Sequence, residues 1–337
     1  MRKPLHNGDM KRRHIRRHII CTAVAVVIFC TTGLALSQPT PAGAGQAYSS
    51  RPIRMVVPFP AGDATDILAR ALSQKWGEKP GQTVVVDNRP GAGGTKVADA
   101  AVKSPPDGYM LLLATSSTHS IGPAFNPKMP SNAGADSTPV AHVAISPNIV
   151  LVPNNSSART MREFIDYARK NPGRLNFTSS GNGTIVHLTT EYFKAQSDTL
   201  ILHIPYRGTA LAMPDLISGK IDVLFDSFVT GMPHTKDGKL RALAVASLKP
   251  TALAPNLPVV ADTLPGFESV TLFGVYGPQN LEADLVARVN LGVNAALAES
   301  DVRDRVARLG AESTGGTPQA FAAIVKADTA RWKKIIF

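Results

Sequence analysis

The chain has 337 residues, of which 36 are Lys or Arg and 25 Asp or Glu, with a formal net charge of +11. Residues 1–47 hold seven of the bases and one acid, so the remainder carries 29 bases and 24 acids, a scattered net of +5 that removes most of the case for a nucleic-acid binder. Both cysteines, Cys21 and Cys30, fall in that segment too, so the rest of the chain is without a Cys nucleophile, Cys-ligated zinc or a disulfide.

The first 47 residues read as an export signal. Arg2, Lys3, Lys11, Arg12, Arg13, Arg16 and Arg17 form a basic region ahead of the apolar run Ile19 to Ala35, and small residues around Ser37, Ala44 and Ala47 suit cleavage. A retained membrane anchor fits less well, because the run is only about 17 residues and contains Thr and Gly. The adjacent Arg16-Arg17 pair is compatible with a twin-arginine route but commonplace in a basic region, and Phe29 before Cys30 argues against lipid attachment. Gln38 to Ser50, rich in Pro, Ala, Gly and Ser, reads as a flexible lead-in. A cleaved signal of this kind predicts a periplasmic protein.

Short β-rich runs then alternate with amphipathic stretches. Ile53–Val57 reads as a strand, and Ile67, Leu68, Ala71, Leu72 and Trp76 recur at helical spacing, with Asp63 or Thr65 as N-cap and Pro80-Gly81 as terminator. Thr83–Val86 reads as a strand of the kind buried in a parallel sheet, Gly91 to Thr95 leads to a helix over Val97–Val102, and Tyr109–Ala114 reads as the third strand. The pattern is βαβαβ, which implies a parallel sheet with right-handed crossovers. After an irregular stretch from Gly122 to Pro139, Val140–Ile145 and Ile149–Val152 read as two runs broken at Pro147-Asn148, where the chain crosses into a second domain. That domain repeats the logic: a helix opened by a Thr160/Glu163 capping box, strands at Leu175–Thr178 and Ile201–Ile204, helices over Ile185–Ala195 and up to Ser218, and strands at Val223–Phe225 and Leu243–Ala246. Val270–Tyr276 reads as the return crossing, and beyond it the pattern is helical only: Glu282–Ala298, Asp301–Leu309 and a helix opening at Thr317-Pro318.

Four strand-to-helix junctions carry small polar residues: 58–66, Thr115–His119, Ser179–Thr184 and Tyr206–Thr209. In an open α/β sheet the ligand lies outside the carboxyl ends of the strands, where such loops collect, and a turn at a helix start offers backbone N–H groups to an anion. Tight βα turns use the same residues for purely structural reasons. Gly91-Ala92-Gly93-Gly94 lacks dinucleotide-fingerprint spacing and reads as a plain turn. His187 and Glu191 stand at i and i+4, but no third metal ligand accompanies them, so neither metal nor cofactor is expected. No G-x-S-x-G elbow occurs, which weakens a serine-hydrolase reading. Asp226, at the end of an apolar strand, is suited to accept from a ligand or a helix N–H or to cap the next segment; Arg207 is the cation in a candidate loop, or a solvated side chain.

Several long motifs, in order, resemble the Bug receptors, the extracytoplasmic solute-binding proteins of tripartite tricarboxylate transporters: Arg54 to Gly62 (RMVVPFPAG), Val85 to Thr95 (VVDNRPGAGGT), Pro106-Asp107-Gly108-Tyr109, Asn176 to Thr184 (NFTSSGNGT) and Pro205-Tyr206-Arg207-Gly208. The similarity runs from about Arg51 to Trp332. It implies a two-domain periplasmic-binding-protein fold of the type II-like, flytrap kind, each domain a mostly parallel sheet flanked by helices, and no enzymatic activity. The domains are then residues 51–145 with 272–337, and 146–271. The implied ligand is a small carboxylate (a di- or tricarboxylate, acidic amino acid or aromatic acid), the implied partner a membrane permease, and the expected state a monomer. In the family the loop matching 58–66 and the loop matching 179–184 hold one carboxylate. The resemblance places ligand contacts on Ala61, Gly62, Thr65 and Asp66, and on Ser180, Gly181, Gly183 and Thr184; Phe59 and Asp63 of the first loop are further candidates. Thr115, Ser116, Ser117, Tyr206, Arg207, Gly208 and Asp226 match the variable side of the cleft. The alternatives are an exported hydrolase using Ser117 or Ser180 with a histidine, and the periplasmic input of a ligand sensor.

Three departures from the family pattern stand out. Lys96 replaces a common Ile, the Asn126–Pro139 stretch differs most, and Asp63 stands where the family usually has Gly. Facing the cleft, Asp63 would favour a ligand with an ammonium or hydroxyl donor beside its carboxylate; the other reading makes it an exposed N-cap.

Overall fold

The computed structural model describes residues 48, 50–78, 82–126, 132–252 and 254–337. The export segment with both cysteines, the Pro80-Gly81 turn and residues 127–131 of the irregular stretch lie outside the described residues. The first five elements follow the βαβαβ reading: β1 (Ile53–Val57), α1 (Ala64–Gly77), β2 (Val84–Asn88), α2 (Thr95–Val102) and β3 (Met110–Thr115). β1 lies between β2 and β3 and pairs in parallel with both. β2 is not the buried strand that its apolar run predicts. It is the last strand of its sheet, and Val85 is 50% exposed.

After β3 the chain makes a buried wide turn at Ser117–Ile121 and two short helices, α3 (Gly122–Phe125) and α4 (Ala133–Asp136). It then enters β4 (Thr138–Pro153), one 16-residue strand where the sequence reads two. As far as Pro147, β4 runs antiparallel to β9 (Val270–Gly277), which itself runs antiparallel to β3. Beyond Asn148 the same strand pairs antiparallel with β7 (Leu224–Ser227) and β8 (Leu240–Val245). Pro147 and Asn148 therefore mark a change of partners and not a break. The sheets are mixed where a mostly parallel arrangement is predicted. An outgoing strand and its returning partner point in opposite directions, and that imposes antiparallel pairs. The remaining parallel pair is β5 (Asn176–Ser179) with β6 (Leu202–Pro205). A two-residue strand, β10 (Glu312–Ser313), pairs with β4 inside the C-terminal region read as helical only.

The helices over this second part are α5 (Met161–Lys170), α6 (Ile185–Ser197), α7 (Thr209–Ile217) and α8 (Phe228–Lys236). The Thr160 hydroxyl caps α5 by accepting from Glu163 N (3.2 Å), while the Glu163 carboxylate returns to Arg159 N. α8 has no counterpart in the sequence reading, because Gly231 and Pro233 break its pattern; Ser227 caps its start. The C-terminal helices α9 (Ala283–Ala298), α10 (Ser300–Arg308) and α11 (Pro318–Ile336) fall where expected, the last capped by Thr317.

Two apolar cores follow from this arrangement. Ile53, Met55, Val57, Leu68, Leu72, Trp76, Leu111 and Leu113 pack with Val289 and Val293 of α9. Val150, Phe164, Phe177, Phe193, Phe225 and Phe267 form the other. Fully buried Trp332, near the end of α11, packs with Ile121, Ile149, Leu151 and Phe228.

Between the cores, the crossing point is polar and dry. Ser146, Asn148, Thr189 and Ser269 are each 0% exposed. The Asn148 amide donates to Ser269 Oγ (2.8 Å) and Thr189 Oγ1 (3.3 Å), and its carbonyl accepts from Thr271 Oγ1 (3.0 Å). Its backbone bonds to Ser269 O and Ala246 N on either side. A buried side chain that serves three hydroxyl partners is difficult to replace, because its loss strands Thr271 and leaves Thr189 and Ser269 only each other. Asn148→Ala is expected to lower the unfolding free energy by about 3 kcal/mol, measured by urea denaturation.

Candidate functional site

Strand β1 ends at Val57, and the loop that follows turns back under α1. Asn88 Nδ2 holds Phe59 O at 3.0 Å, and Asp63 N closes a turn onto Pro60 O (3.2 Å). Asp66 folds back from the first turn of α1, accepting from Gly62 N (2.9 Å) and pairing with Arg70 (2.9 Å). The loop is thus braced by its own carboxylate. Asp63 occupies the N-cap position of α1 with extended backbone (φ −72°, ψ 159°) but makes no capping bond to that helix. The start of α1 therefore has no side chain from its own cap. Its first residues, Ala64 and Thr65, face a cavity.

That cavity is lined by Phe59, Asp63, Ala64 and Thr65, by Thr115 and Ser117 after β3, by Ser180, Ile185 and Val186 at the β5–α6 junction, and by Thr209, Asp226, Ser227, Thr271 and Phe273. Its free volume of about 30 Å³ holds about two waters. A wider groove of about 440 Å³ lies on the far side of the 180–184 loop, lined by Gly93, Thr95, Phe125, Gly181, Gly183, Tyr206 and Arg207 among others.

Of the residues predicted to contact ligand, Phe59, Asp63, Thr65, Thr115, Ser117, Ser180 and Asp226 meet at the cavity. Gly181, Gly183, Tyr206 and Arg207 line the groove instead. Ala61, Gly62, Asp66, Ser116, Thr184 and Gly208 line neither. The last four act locally, in that Asp66 braces the loop, Ser116 Oγ accepts from Leu272 N, Thr184 caps α6 and Gly208 opens α7. The sequence reading missed Ala64, Ile185, Val186, Thr209, Ser227, Thr271 and Phe273. Ala64 and Thr209 open helices within candidate loops 58–66 and 206–209 but were not named as contacts, and Ile185 opens a helix one residue beyond loop 179–184.

Asp63 is neither exposed nor a cap for its own helix. It is 4% exposed, and its Oδ1 accepts from Ala210 N at 2.6 Å and from Thr209 Oγ1 at 3.4 Å, both at the start of α7. The α7 N-cap is Gly208, which has no side chain to offer. A Cβ at 208 would stand 2.7 Å from Asp63 Oδ2, so glycine there admits the visiting carboxylate. Ser117 repeats the device, accepting from Ile185 N (3.0 Å) at the start of α6. Two helix starts of the second part are capped by side chains of the first.

The loops also touch directly. A Cβ on Gly93 would stand 3.1 Å from Asn182 O, and one on Gly181 would stand 3.3 Å from Gly93 N. Both residues have positive φ (61° and 124°), so glycine is required there for backbone conformation as well as for proximity.

The hydroxyl–histidine geometry of a hydrolase is absent from the predicted serines. The Ser117 hydroxyl is engaged by Ile185 N, and it is Ser179 that bonds a histidine, His203 (2.7 Å). His119 Nδ1 meets Thr118 Oγ1. His187 Nδ1 accepts from Gly183 N, while its Nε2 lies 3.8 Å from Glu191. Asp226 accepts from Thr230 Oγ1 (2.6 Å) and Ser227 N (2.8 Å). Arg207 is exposed at the groove, and the Tyr206 hydroxyl is bonded to Asp215.

A family model described as tripartite tricarboxylate transporter family receptor matches residues 68–337. The chain belongs to that family, the Bug receptors. It is 38% identical over 309 residues to a UPF0065 protein from the tcbD-tcbE intergenic region of Pseudomonas sp., covering 90% of this chain and 92% of the relative. It is 32% identical to BugT of Bordetella pertussis, covering 93% and 95%. Among solved structures, a Rhodopseudomonas palustris protein with adipate superposes with a TM-score of 0.82 at 33% identity, covering 86% of this chain and 97% of the other. MatC of the same organism, with bound malate, gives 0.82 at 28%, covering 85% and 99%. The fold is therefore that of a two-domain periplasmic binding protein, and this Bug receptor is not an enzyme. Among the described residues, no helix is long and apolar enough to cross a membrane.

Burial pushes the Asp63 carboxyl up to about 7, with the charge of Asp226 adding to the rise and the Ala210 amide opposing it. Burial likewise raises Asp226 to about 6, against the Thr230 hydroxyl and the Ser227 amide. Both folded-state values lie above the ordinary 3.8, so folding favours the protonated acids. Their contribution to stability is fully present below about pH 4 and is lost as the pH rises through about 6 and 7. The urea midpoint of the receptor is expected to fall between about pH 5 and about pH 8, and Asp63→Asn is expected to flatten part of that fall.

Proposed function

We propose that this receptor is exported to the periplasm and captures a small carboxylate at the start of α1, in the cavity between the 58–66, 115–117 and 179–184 loops, for delivery to the membrane permease of a tripartite transporter. Residues 51–145 with 272–337 form one domain and residues 146–271 the other. They part and close by rotation at the crossings near 145 and 271.

The observation that carries the reading is the start of α1, which faces a cavity assembled from both parts of the chain while its own N-cap side chain turns away. An open helix N-terminus in a hydroxyl-rich cleft is an anion site that needs no cation. The adipate and malate held by the two R. palustris neighbours point to the same ligand chemistry. The hydroxyls of Thr65, Thr115, Ser117 and Ser180 supply further donors, and Phe59, Ile185, Val186 and Phe273 supply apolar walls. The basic n-region, apolar run and small-residue zone support export.

Mass spectrometry of small molecules released on denaturation, followed by calorimetry with the compounds found, tests the reading. A carboxylate that binds without turnover supports it, and a ligand without an acid group overturns it. A sharper test is Ala64→Pro. Ala64 is the first residue of α1 and is preceded by an extended residue, so proline fits there and removes only an amide hydrogen with no helix partner. The variant is expected to keep the thermal midpoint of the parent and to bind carboxylate about 10- to 100-fold more weakly, as for loss of one charge-assisted hydrogen bond.

A further inference from the structure

We infer that Asp63 makes this receptor selective for small monocarboxylates over dicarboxylates, by holding with its own carboxylate the second anion position of the cavity. The inference rests on the carboxylate reading proposed above and narrows it.

Three helix starts face the cavity, and two of them, α1 and α7, differ in what they offer. α1 has no side-chain cap from its own N-cap residue. α7, nine residues long, begins behind a glycine, and its amide at Ala210 is bonded to Asp63 Oδ1 at 2.6 Å. A dicarboxylate spanning the cavity from the start of α1 would bring its far carboxylate to the start of α7, where Asp63 already sits. Displacing Asp63 would leave its buried carboxylate without the amide that compensates it.

A second, independent feature closes the alternative positions. Asp226, 3% exposed, lines the same cavity, and no Lys, Arg or His is among the described residues lining it. A far carboxylate would therefore meet two acids and no cation. Apolar atoms meet Phe59, Ile185, Val186 and Phe273 instead, and a hydroxyl or ammonium donor meets Asp63 and Asp226 as acceptors. The ligand class that fits is one carboxylate at α1 with an apolar or donor-bearing body. Asp63 is thus expected to act as a tethered substitute for the second acid group of a dicarboxylate.

Calorimetry of the parent, Asp63→Gly and Asp63→Asn with three matched pairs tests this: lactate and malate, hexanoate and adipate, benzoate and phthalate. The parent is expected to bind at least one monocarboxylate tenfold or more tighter than its diacid partner. Asp63→Gly frees the α7 amide and is expected to shift that ratio tenfold or more towards the diacid. Asp63→Asn, which keeps an acceptor for Ala210 and removes the charge, is expected to shift it less, and its thermal midpoint shows whether the loop is intact. A parent that binds a diacid as tightly as its monoacid, or a ratio unmoved in both variants, overturns the role of Asp63 and leaves the carboxylate reading standing. A parent that binds none of the six, while a non-acidic compound co-purifies, overturns both.

Discussion

The structure turns on the need of helix N-termini for acceptors. Three helices, α1, α6 and α7, begin at the same cavity, and each presents backbone amides that its own turns leave unpaired. Thr184 serves α6 locally, but Ile185 of that helix is reached by Ser117 and Ala210 of α7 by Asp63, both from the other part of the chain. These bonds are short-range and directional, and they exist only when the two parts approach closely. In the hinge motion proposed above, closure and capping are one event: opening would expose two helix starts to water, and closing would restore their partners.

Around that event the fold arranges stiffness and freedom differently. The two apolar cores are joined by a third cluster, in which Trp332 of α11 meets Ile149, Leu151 and Phe228. Between them run β4 and the chain near Ser269, where the polar residues are buried and mutually bonded. Hydrogen bonds fix the strand register at the crossing.

The order of elements was legible in the sequence, because each strand is a short apolar run bounded by turn residues and each long helix keeps its period. Pairing direction was not. Val140–Val152 reads as two runs because Pro147 and Asn148 interrupt the apolar pattern, yet an extended chain accommodates both residues and simply changes partners there. Val84–Val86 has the composition of a central strand but ends its sheet, since position within a sheet depends on pairings distant in sequence. At the site, the loops were legible as small polar junctions, and the identity of Asp63 as a departure from the family pattern was plain. Its partner was not. The bond to Ala210 joins residues 147 positions apart, and nothing local to either end signals it. Asp66, read as a ligand contact, carries instead the local duty of bracing its loop.

The contact between Gly93 and the 181–182 backbone sets a limit of a different kind. Two glycines bring the loops together there almost main chain to main chain, so in the proposed hinge motion the backbone itself would limit how far the cleft shuts. Any β-carbon at either position acts as a shim. In that motion it would hold the mouth slightly ajar without altering an atom of the cavity, which would make capture adjustable at a point the ligand need never touch.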